Sequence, residues 1–182
     1  MSRYRRSLTG GATYFFTVNT YQRQTILTHP DVRSALRDAI QHVRETMPFF
    51  VDAWVLLPDH LHTIGTLPEG DAAYGKRWGM IKAHVSRKCA HVVEAKTPRN
   101  ESRIKRREGI LWQRGFWEHQ IRDDLDYQRH VDYIHFNPVK HGLVTRVADW
   151  PHSTFHRYVK QGVYREDWAL DRTIMGTIAM GE

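Results

Sequence analysis

Two strand-like runs separated by only two residues place the tightest constraint on how this chain can fold. Residues 49–57 (FFVDAWVLL) and 60–67 (HLHTIGTL) are rich in aromatic, β-branched and aliphatic residues, a composition typical of strands. Pro58 and Asp59 alone lie between the two runs. So short a link joins neighbouring antiparallel strands, because a parallel crossover needs many more residues. The sequence therefore predicts a β-hairpin near the middle of the chain.

Two further strands are predicted on either side of this hairpin. Residues 12–21 (ATYFFTVNTY) follow a Gly10-Gly11 corner and have the aromatic and β-branched composition of a first strand. Residues 110–121 (ILWQRGFWEHQI) have a similar composition and predict a fourth strand.

Three stretches repeat apolar residues at helical spacing. They cover residues 32–47, residues 74–92 and residues 124–137, the last of which is expected to end at Pro138 and Gly142. The resulting order is strand, helix, hairpin, helix, strand, helix. This order predicts an α+β domain in which helices cover one face of an antiparallel sheet.

Composition limits the classes of protein to which such a domain can belong. The 182 residues fit one domain, 1–182, and 41% hydrophobic with 26% charged residues is ordinary for a globular protein. The single cysteine, Cys89, indicates a reducing compartment, and its place on an apolar helical stripe predicts a core position. No apolar run resembles a membrane span or a signal peptide, so we expect a cytoplasmic protein.

The charge of the chain favours an anionic partner. There are 27 Lys and Arg residues against 20 Asp and Glu residues, which gives a net charge of +7. This excess fits either a nucleic-acid-binding protein or a merely soluble basic one. Its clustering near the N-terminus and in a basic loop at about 95–109 favours nucleic acid. The candidate DNA contacts are Arg3, Arg5, Arg6, Arg99, Arg103, Lys105, Arg106, Arg107 and Arg114.

His60 and His62 flank Leu61 inside the second strand of the predicted hairpin. Because side chains alternate along a strand, both imidazoles project from one face and Leu61 from the other. Two adjacent imidazoles are a candidate metal site. The alternative is a pair of hydrogen-bonded histidines without a ligand.

The third predicted helix carries polar side chains along the flank of its apolar stripe. At about 100° per residue, Tyr127 lies on the stripe with Val131, and His130, Tyr133 and Asn137 lie together beside it. Tyr127 is therefore expected to pack in the core. Tyr133 is either an amphipathic packing residue or a functional one.

These motifs together resemble those of a known family. HLH fits the HUH pattern, in which U is a bulky apolar residue, FWEH follows at residues 116–119, and HVDYIHFNPVKHG at residues 130–142 is similar to a tyrosine-helix motif. The chain resembles the REP-associated tyrosine transposases, single-tyrosine relatives of the small insertion-sequence transposases. The resemblance covers nearly the whole chain, from YRRSLTGGATYFFTVN to DWPHSTFHRYVKQGVY. It implies a ferredoxin-like sheet with the histidines on a central strand and the tyrosine on a neighbouring helix.

The resemblance also implies the roles of individual residues. Tyr133 would be the nucleophile, and the third metal ligand would be the polar residue four positions later, Asn137. Glu118, His119 and His130 are accessory candidates. The roles of Glu118 and His119 could equally lie in the fold, and His130 is expected either to form a hydrogen bond near Tyr133 or to face solvent. The implied cofactor is Mg²⁺ or Mn²⁺, of which Mn²⁺ matches imidazole better, and zinc is an alternative.

The activity implied is that of a strand transferase acting on single-stranded, REP-type DNA hairpins with a flanking guide sequence, in which the cleaved 5′ end is linked to Tyr133. Two alternatives stay open: a noncatalytic hairpin-binding protein of the same fold, and a metal-dependent nuclease that uses water. The resemblance favours a nucleoid-associated monomer, with a homodimer as the alternative. Residues from about 143 onward are expected to form a C-terminal extension.

Overall fold

A four-stranded antiparallel sheet organises the chain, and its strands are ordered β2-β3-β1-β4. The computed structural model describes residues 9–93 and 111–169. The strands are β1 (Thr13–Asn19), β2 (Phe50–Leu56), β3 (His60–Thr66) and β4 (Trp117–Gln120). The helices are α1 (Pro30–Thr46), α2 (Tyr74–Lys88), α3 (Ala90–Val93), α4 (Asp124–Lys140) and α5 (Phe155–Lys160). Single 3-10 turns lie at Tyr21–Arg23 and Val147–Asp149.

The predicted hairpin is confirmed. β2 and β3 pair antiparallel across Pro58 and Asp59, and the amide of Leu57 donates to the carbonyl of His60. β3 also pairs with β1, so it is a central strand, as the family resemblance implied. The order of strands and helices up to β4 is that of a ferredoxin-like fold.

Helices pack on both faces of the sheet, so the expectation that they cover one face was wrong. Tyr14, Phe16 and Val18 of β1 belong to a core shared with α1 and α2. Phe15 of β1 and Ile64 of β3 belong to a second core shared with α4 and α5. The physical reason lies in β1, where five successive residues, 14–18, are buried and both alternating sets therefore need a covering layer.

The fourth strand is shorter than predicted. β4 contains only Trp117–Gln120, although the strand-like run begins at residue 110. Before it, Trp112 forms an isolated bridge with Thr20, and Gly115 has a φ of +78° that breaks the extended conformation. Lys82 of α2 holds this loop by donating to the carbonyl of Gln113 at 3.2 Å.

Helix α4 runs beyond its predicted end. Pro138 lies inside the last turn, and the helix continues to Lys140. Proline removes the backbone donor at residue 138, but the helix continues past it because the amide of His141 donates to the carbonyl of Asn137. Gly142, with a φ of +67°, then terminates the helix by donating its amide to the carbonyl of Val139. As a consequence, Lys140 and His141 extend the helical face that carries Tyr133.

Residues 143–169 are part of the domain rather than an appendage. Val147, Phe155 and Tyr164 are buried in the core formed by β3 and α4. Thr154 donates its amide to the carbonyl of Trp54, and the amide of Leu56 donates to the carbonyl of His152. This segment therefore pairs with the outer edge of β2.

The described residues also include Cys89 and the helices, but they include few of the basic candidates for DNA contact. Cys89 is buried in the core between α1 and α2, as predicted. None of the helices in residues 9–93 and 111–169 is both long and apolar enough to cross a bilayer. The basic loop at about 95–109 lies outside the described residues, as do the candidate DNA contacts Arg3, Arg5, Arg6, Arg99, Arg103, Lys105, Arg106 and Arg107.

Candidate functional site

The histidine pair of β3 faces helix α4. The rings of His60 and His62 are both buried, with centroids 4.8 Å apart, and Leu61 between them enters the opposite core. Thr17 of β1 lies opposite His62 in the strand register, and its Oγ1 is 2.9 Å from His62 Nδ1. The antiparallel pairing of β1 and β3 thus orients this imidazole.

Asp59 orients the other imidazole. Its Oδ1 lies 2.7 Å from Nδ1 of His60, and its Oδ2 lies 3.3 Å from Nε of Arg23. Although burial opposes the effect, hydrogen bonding and charge from His60 and Arg23 lower the pKa of Asp59. Arg23 reaches this position from a turn in which Gln22 and Arg23 have φ values of 53° and 55°. Such strain in residues other than glycine is often found beside functional sites.

Tyr133 of α4 completes the group that we call the histidine–tyrosine site, made of His60, His62 and Tyr133. Its ring is buried, and its centroid lies 5.2 Å from that of His62 in an edge-on arrangement. Lys140 donates to the hydroxyl of Tyr133 with an Nζ to Oη distance of 3.1 Å. The same ammonium lies 4.9 Å from the centroid of the tyrosine ring.

The sequence reasoning did not single out Lys140. It lies seven residues, or about two helical turns, after Tyr133, so the two side chains share one face of α4. The spacing of seven residues could have indicated that Lys140 lies beside Tyr133. This was missed because the helix was expected to end at Pro138, before Lys140.

Asn137 of α4 lies one turn after Tyr133 and one turn before His141, which caps the C-terminus of the helix. The Tyr133 ring contacts His62, and the His141 ring lies 5.0 Å from that of His60, so this part of the helix faces the histidine pair. Asn137 is 0% exposed. Neither its Oδ1 nor its Nδ2 has a hydrogen-bond partner among the described residues, and the same is true of Nε2 of His60.

Buried polar atoms without partners are costly, and they usually indicate a ligand or an ordered water. His60 is held through Nδ1, which leaves Nε2 as the nitrogen able to bind a cation. An amide oxygen from Asn137 is a suitable second type of ligand. The residues present therefore fit a divalent cation bound by imidazole nitrogen and amide oxygen.

His119 and His130 form a separate cluster around Asp126. His119 Nε2 lies 2.8 Å from Oδ2 of Asp126, and His130 Nδ1 lies 2.7 Å from its backbone oxygen. Ligand atoms of the three residues lie within 4.8 Å of one another, which is close enough to suggest a metal cluster. However, Arg122 also donates to the Asp126 carboxylate, at 3.1 Å, so a cation already occupies this position. We interpret the cluster as support for α4.

Glu118, Tyr127 and Arg114 all lie outside the histidine–tyrosine site. Glu118 is not brought into the histidine–tyrosine site: it points to the opposite face of the sheet, where Tyr74 Oη donates to its Oε1 at 3.3 Å. Tyr127 packs as expected, with its hydroxyl 3.3 Å from that of Tyr158, and burial together with this contact raises the pKa of Tyr127. Arg114 is exposed in the loop before β4.

The His119–Asp126–His130 cluster is separated from Tyr133 by one aromatic ring. The centroid of Phe15 lies 4.9 Å from that of His130 and 6.1 Å from that of Tyr133. Phe15 also stacks on His62, at 5.4 Å. The ring of Phe15 therefore packs between the cluster and the histidine–tyrosine site and contacts residues of both.

Comparison with known proteins places this arrangement in a family. The REP-associated tyrosine transposase of Escherichia coli (strain K12) is 46% identical over 173 residues, which cover 95% of this chain and 94% of the relative. A relative in Haemophilus influenzae with the same family description is 45% identical over 169 residues, or 92% of this chain and 93% of its own. The chain matches no family model.

A solved structure of a REP-associated tyrosine transposase bound to a REP hairpin has the same fold, with a TM-score of 0.79. It is 46% identical, and the match covers 94% of this chain and 93% of that one. The α+β sheet with its helices is thus the HUH transposase fold. The chain belongs to the REP-associated tyrosine transposases, since its identity to curated members extends over nearly its full length.

The Asp126 cluster leads to a prediction about acid stability. Burial raises the pKa of Asp126, but hydrogen bonds and charge from Arg122 and His119 outweigh it and hold the pKa well below its ordinary value of about 4. A carboxyl group whose pKa is lower in the folded than in the unfolded protein stabilises the fold at any pH above its unfolded pKa. This stabilisation is lost as the pH falls below the unfolded pKa toward the folded one. Asp126→Asn should therefore lower the free energy of unfolding by about 2 kcal/mol at pH 7, the typical contribution of hydrogen bonds to a charged group. This deficit should shrink by about 1.4 kcal/mol for each pH unit below 4.

Urea denaturation at pH 7 and pH 3 measures both effects. Asp149→Asn is the matched control, because the ion pair of Asp149 with Arg146 is exposed and should contribute little at either pH. A deficit for Asp126→Asn that stays the same at both pH values would contradict the assigned role of its charge.

Proposed function

We propose that this chain is a metal-dependent DNA strand transferase that binds single-stranded DNA hairpins and cleaves and rejoins them through a 5′-phosphotyrosine at Tyr133. The observation that carries the proposal is the position of Tyr133, whose ring lies beside that of His62 and whose hydroxyl receives a hydrogen bond from Lys140. The hairpin bound by the homologous transposase supports the choice of DNA.

The reaction needs a nucleophile that stores the energy of the phosphodiester bond. The Tyr133 phenol loses its proton to water and its oxygen attacks phosphorus, the bond to the 3′ oxygen breaks, and the leaving 3′ oxygen takes up a proton from water. The 5′ phosphate is then an aryl ester, which a DNA 3′-hydroxyl can attack to rejoin a strand and release the phenol. A tyrosine hydroxyl is a weak nucleophile until it ionises, and a cation at the distance of Lys140 stabilises the ionised oxygen.

His60, His62 and Asn137 would hold the divalent cation. When bound, Mg²⁺ or Mn²⁺ would polarise the scissile phosphate and assist its orientation for in-line attack. Imidazole favours Mn²⁺ over Mg²⁺, whereas the amide oxygen suits both. Asp59 and Thr17 each engage an Nδ1 atom and so fix the orientation of the two imidazoles.

The decisive experiment concerns the covalent intermediate. A single-stranded hairpin oligonucleotide incubated with the protein and Mn²⁺ should give a protein–DNA adduct that survives denaturation, because a phosphotyrosine ester is covalent. Tyr133→Phe removes only the hydroxyl, so it should abolish the adduct and leave hairpin binding intact. Tyr127→Phe is the matched control and should retain adduct formation, since Tyr127 packs against Tyr158.

Two outcomes would support the alternatives instead. Cleavage by the wild-type protein without an adduct would indicate a nuclease that uses water. Hairpin binding with neither cleavage nor adduct would indicate a noncatalytic binding protein. An adduct formed by Tyr133→Phe would exclude the assigned nucleophile.

Lys140 is expected to assist the nucleophile directly. Lys140→Ala should slow cleavage by about 100-fold, a typical effect of losing one preorganised charge stabiliser. The optimum of the rate should move to higher pH, because the tyrosine must then ionise without a neighbouring cation. Lys140→Arg should recover most of the rate, and Lys160→Ala on α5 is the control for a general loss of positive charge.

Single-turnover cleavage rates of the wild type and these three variants, measured between pH 6 and pH 10, test this prediction. An unshifted pH profile for Lys140→Ala would show that Lys140 does not assist the ionisation of Tyr133.

Asp59 is expected to act on metal affinity. Asp59→Ala should weaken Mn²⁺ binding by about 10- to 100-fold, because His60 loses the partner that fixes its ring. Electron paramagnetic resonance of free Mn²⁺, titrated with protein in the absence of DNA, measures this without reference to activity. Asp149→Ala is the control for removing an exposed carboxylate. Equal affinities of Asp59→Ala and the wild type would argue against a metal on His60.

A further inference from the structure

Three arginines of helix α1 lie in a row along the outer edge of the sheet. Arg33, Arg37 and Arg44 are four and seven residues apart, so they share one face of the helix. At 1.5 Å per residue the row extends over about 17 Å. Arg33 and Arg37 border Trp54 of the edge strand β2, and Arg44 borders Phe50 at the other end of that strand.

Unlike several other arginines of the protein, these three have no ion-pair partner in the described part of the chain. Among the described residues, none of the three lies within ion-pair distance of a carboxylate. By contrast, five arginines elsewhere are paired with an aspartate, namely Arg23, Arg77, Arg122, Arg146 and Arg165. The row therefore presents positive charge that the described part of the fold does not neutralise.

The acidic residues of α1 point elsewhere. Asp38 pairs with Lys88 of α2, with Oδ2 and Nζ 3.5 Å apart. Asp31 lies 3.1 Å from the ring of His91, and Glu45 lies 3.9 Å from that of His42. One face of α1 thus carries arginine while carboxylates project from others.

Hydrogen bonds within the protein use few of the arginine donors. Nε of Arg33 donates to the carbonyl of Thr28, and Nε of Arg44 donates to that of Phe49, each at 3.1 Å. A guanidinium has five N–H donors, so most of them remain available. Arg157 of α5 adds a fourth guanidinium, which is anchored on the backbone of β2 at Val51 and Asp52.

The row borders two open clefts. A cleft of about 310 Å³ is lined by Arg33, Arg37 and His152, and one of about 420 Å³ by Arg44, Phe50 and Arg157. Phe50 is 63% exposed, which is unusual for so large an apolar side chain and leaves its ring available for stacking.

One carboxylate, that of Asp52, borders the second cleft. It accepts a hydrogen bond from Thr66 Oγ1 at 2.8 Å, and burial raises its pKa. Arg157 is close enough to interact with this carboxylate, and one carboxylate against the two guanidiniums of Arg44 and Arg157 leaves the cleft with a net positive charge.

The row begins at the end of the sheet that carries the histidine–tyrosine site. The amide of Leu27 donates to the carbonyl of Pro58 at 2.8 Å. Leu27 lies three residues before the start of α1, and Pro58 lies two residues before His60, so this bond holds the start of α1 close to the histidine pair. A strand of DNA that leaves the site past Pro58 would therefore meet Arg33 first and Arg44 last.

We infer that Arg33, Arg37 and Arg44 bind the phosphates of the single-stranded DNA adjoining the hairpin, and that Phe50 stacks on one of its bases. The inference rests on the proposed function only in taking hairpin DNA as the substrate. Arginine suits phosphate because its planar donors bind the oxygens bidentately. The exposed aromatic ring favours an unpaired strand over a duplex, because bases within a duplex already stack on their neighbours whereas an unpaired base has a free face.

Two labelled oligonucleotides test the inference by fluorescence anisotropy: a hairpin with blunt ends, and the same hairpin with a single-stranded extension of ten nucleotides. The double variant Arg37→Ala/Arg44→Ala should bind the extended hairpin more weakly, with a log–log salt slope lower by about 1.4, since each single-strand phosphate contact contributes about 0.7. Its affinity for the blunt hairpin should match that of the wild type.

Matched variants separate this site from a general charge effect. Arg146→Ala/Arg165→Ala removes two exposed arginines that already have aspartate partners, and its salt slope should equal that of the wild type. Arg37→Lys/Arg44→Lys keeps the charge and should restore the slope. Phe50→Ala should weaken binding of the extended hairpin by about tenfold, and Phe50→Trp should not.

Three results would overturn the inference. An unchanged salt slope for Arg37→Ala/Arg44→Ala would show that the row does not contact DNA. Equal weakening for both oligonucleotides would assign the row to the hairpin stem instead of the extension. A wild-type protein that binds neither oligonucleotide would remove the proposed function itself, a result that differs from wild-type binding unaffected by the variants.

Discussion

The pairing of β1 with β3 is the interaction on which the rest of the structure depends. Its register sets Thr17 opposite His62 and Phe15 opposite Ile64. A slip of one residue would turn each side chain of the strand to the opposite face, so the two imidazoles would enter the core beneath α1 and α2. Residues 14–18 of β1 are buried on both faces, and the two cores therefore hold this register from both sides.

The histidine–tyrosine site is built between these well-packed layers rather than in a surface loop. His60, His62 and Asn137 are fully or almost fully buried, and they lie on one strand and one helix. Sites on such rigid elements hold their geometry better than sites on loops. The cost is the burial of polar groups, of which Nε2 of His60 and the amide of Asn137 have no partner in the described part of the chain.

Much of this arrangement could be predicted from local patterns. The Pro58-Asp59 link could join only a hairpin, and alternation along β3 placed both histidines on one face. Helical spacing placed Tyr133 and Asn137 on one flank of α4. These are properties of neighbouring residues, so periodicity is sufficient to find them.

The features that were missed depend on tertiary contacts. Whether Glu118 or His119 faces α4 depends on the register of β4 against β1, which a run of twelve strand-like residues does not specify. The helix on the second face was not expected, because that face of β1 carries Thr13, Thr17 and Asn19 around Phe15 and so resembles a solvent-exposed face. Lys140 was missed because the helix continues beyond Pro138 through the bond from the amide of His141 to the carbonyl of Asn137, which the sequence pattern does not reveal.

The segment at residues 152–154 has a consequence for assembly. Its backbone hydrogen bonds with Trp54 and Leu56 occupy the outer side of β2, which would otherwise be an open edge of the sheet. Two copies of this chain cannot therefore join into one continuous sheet across the end of β2 unless this segment is first displaced. An edge closed by the protein's own chain also offers no template there for strand exchange or fibril growth, which protects a strongly apolar strand in the crowded cell.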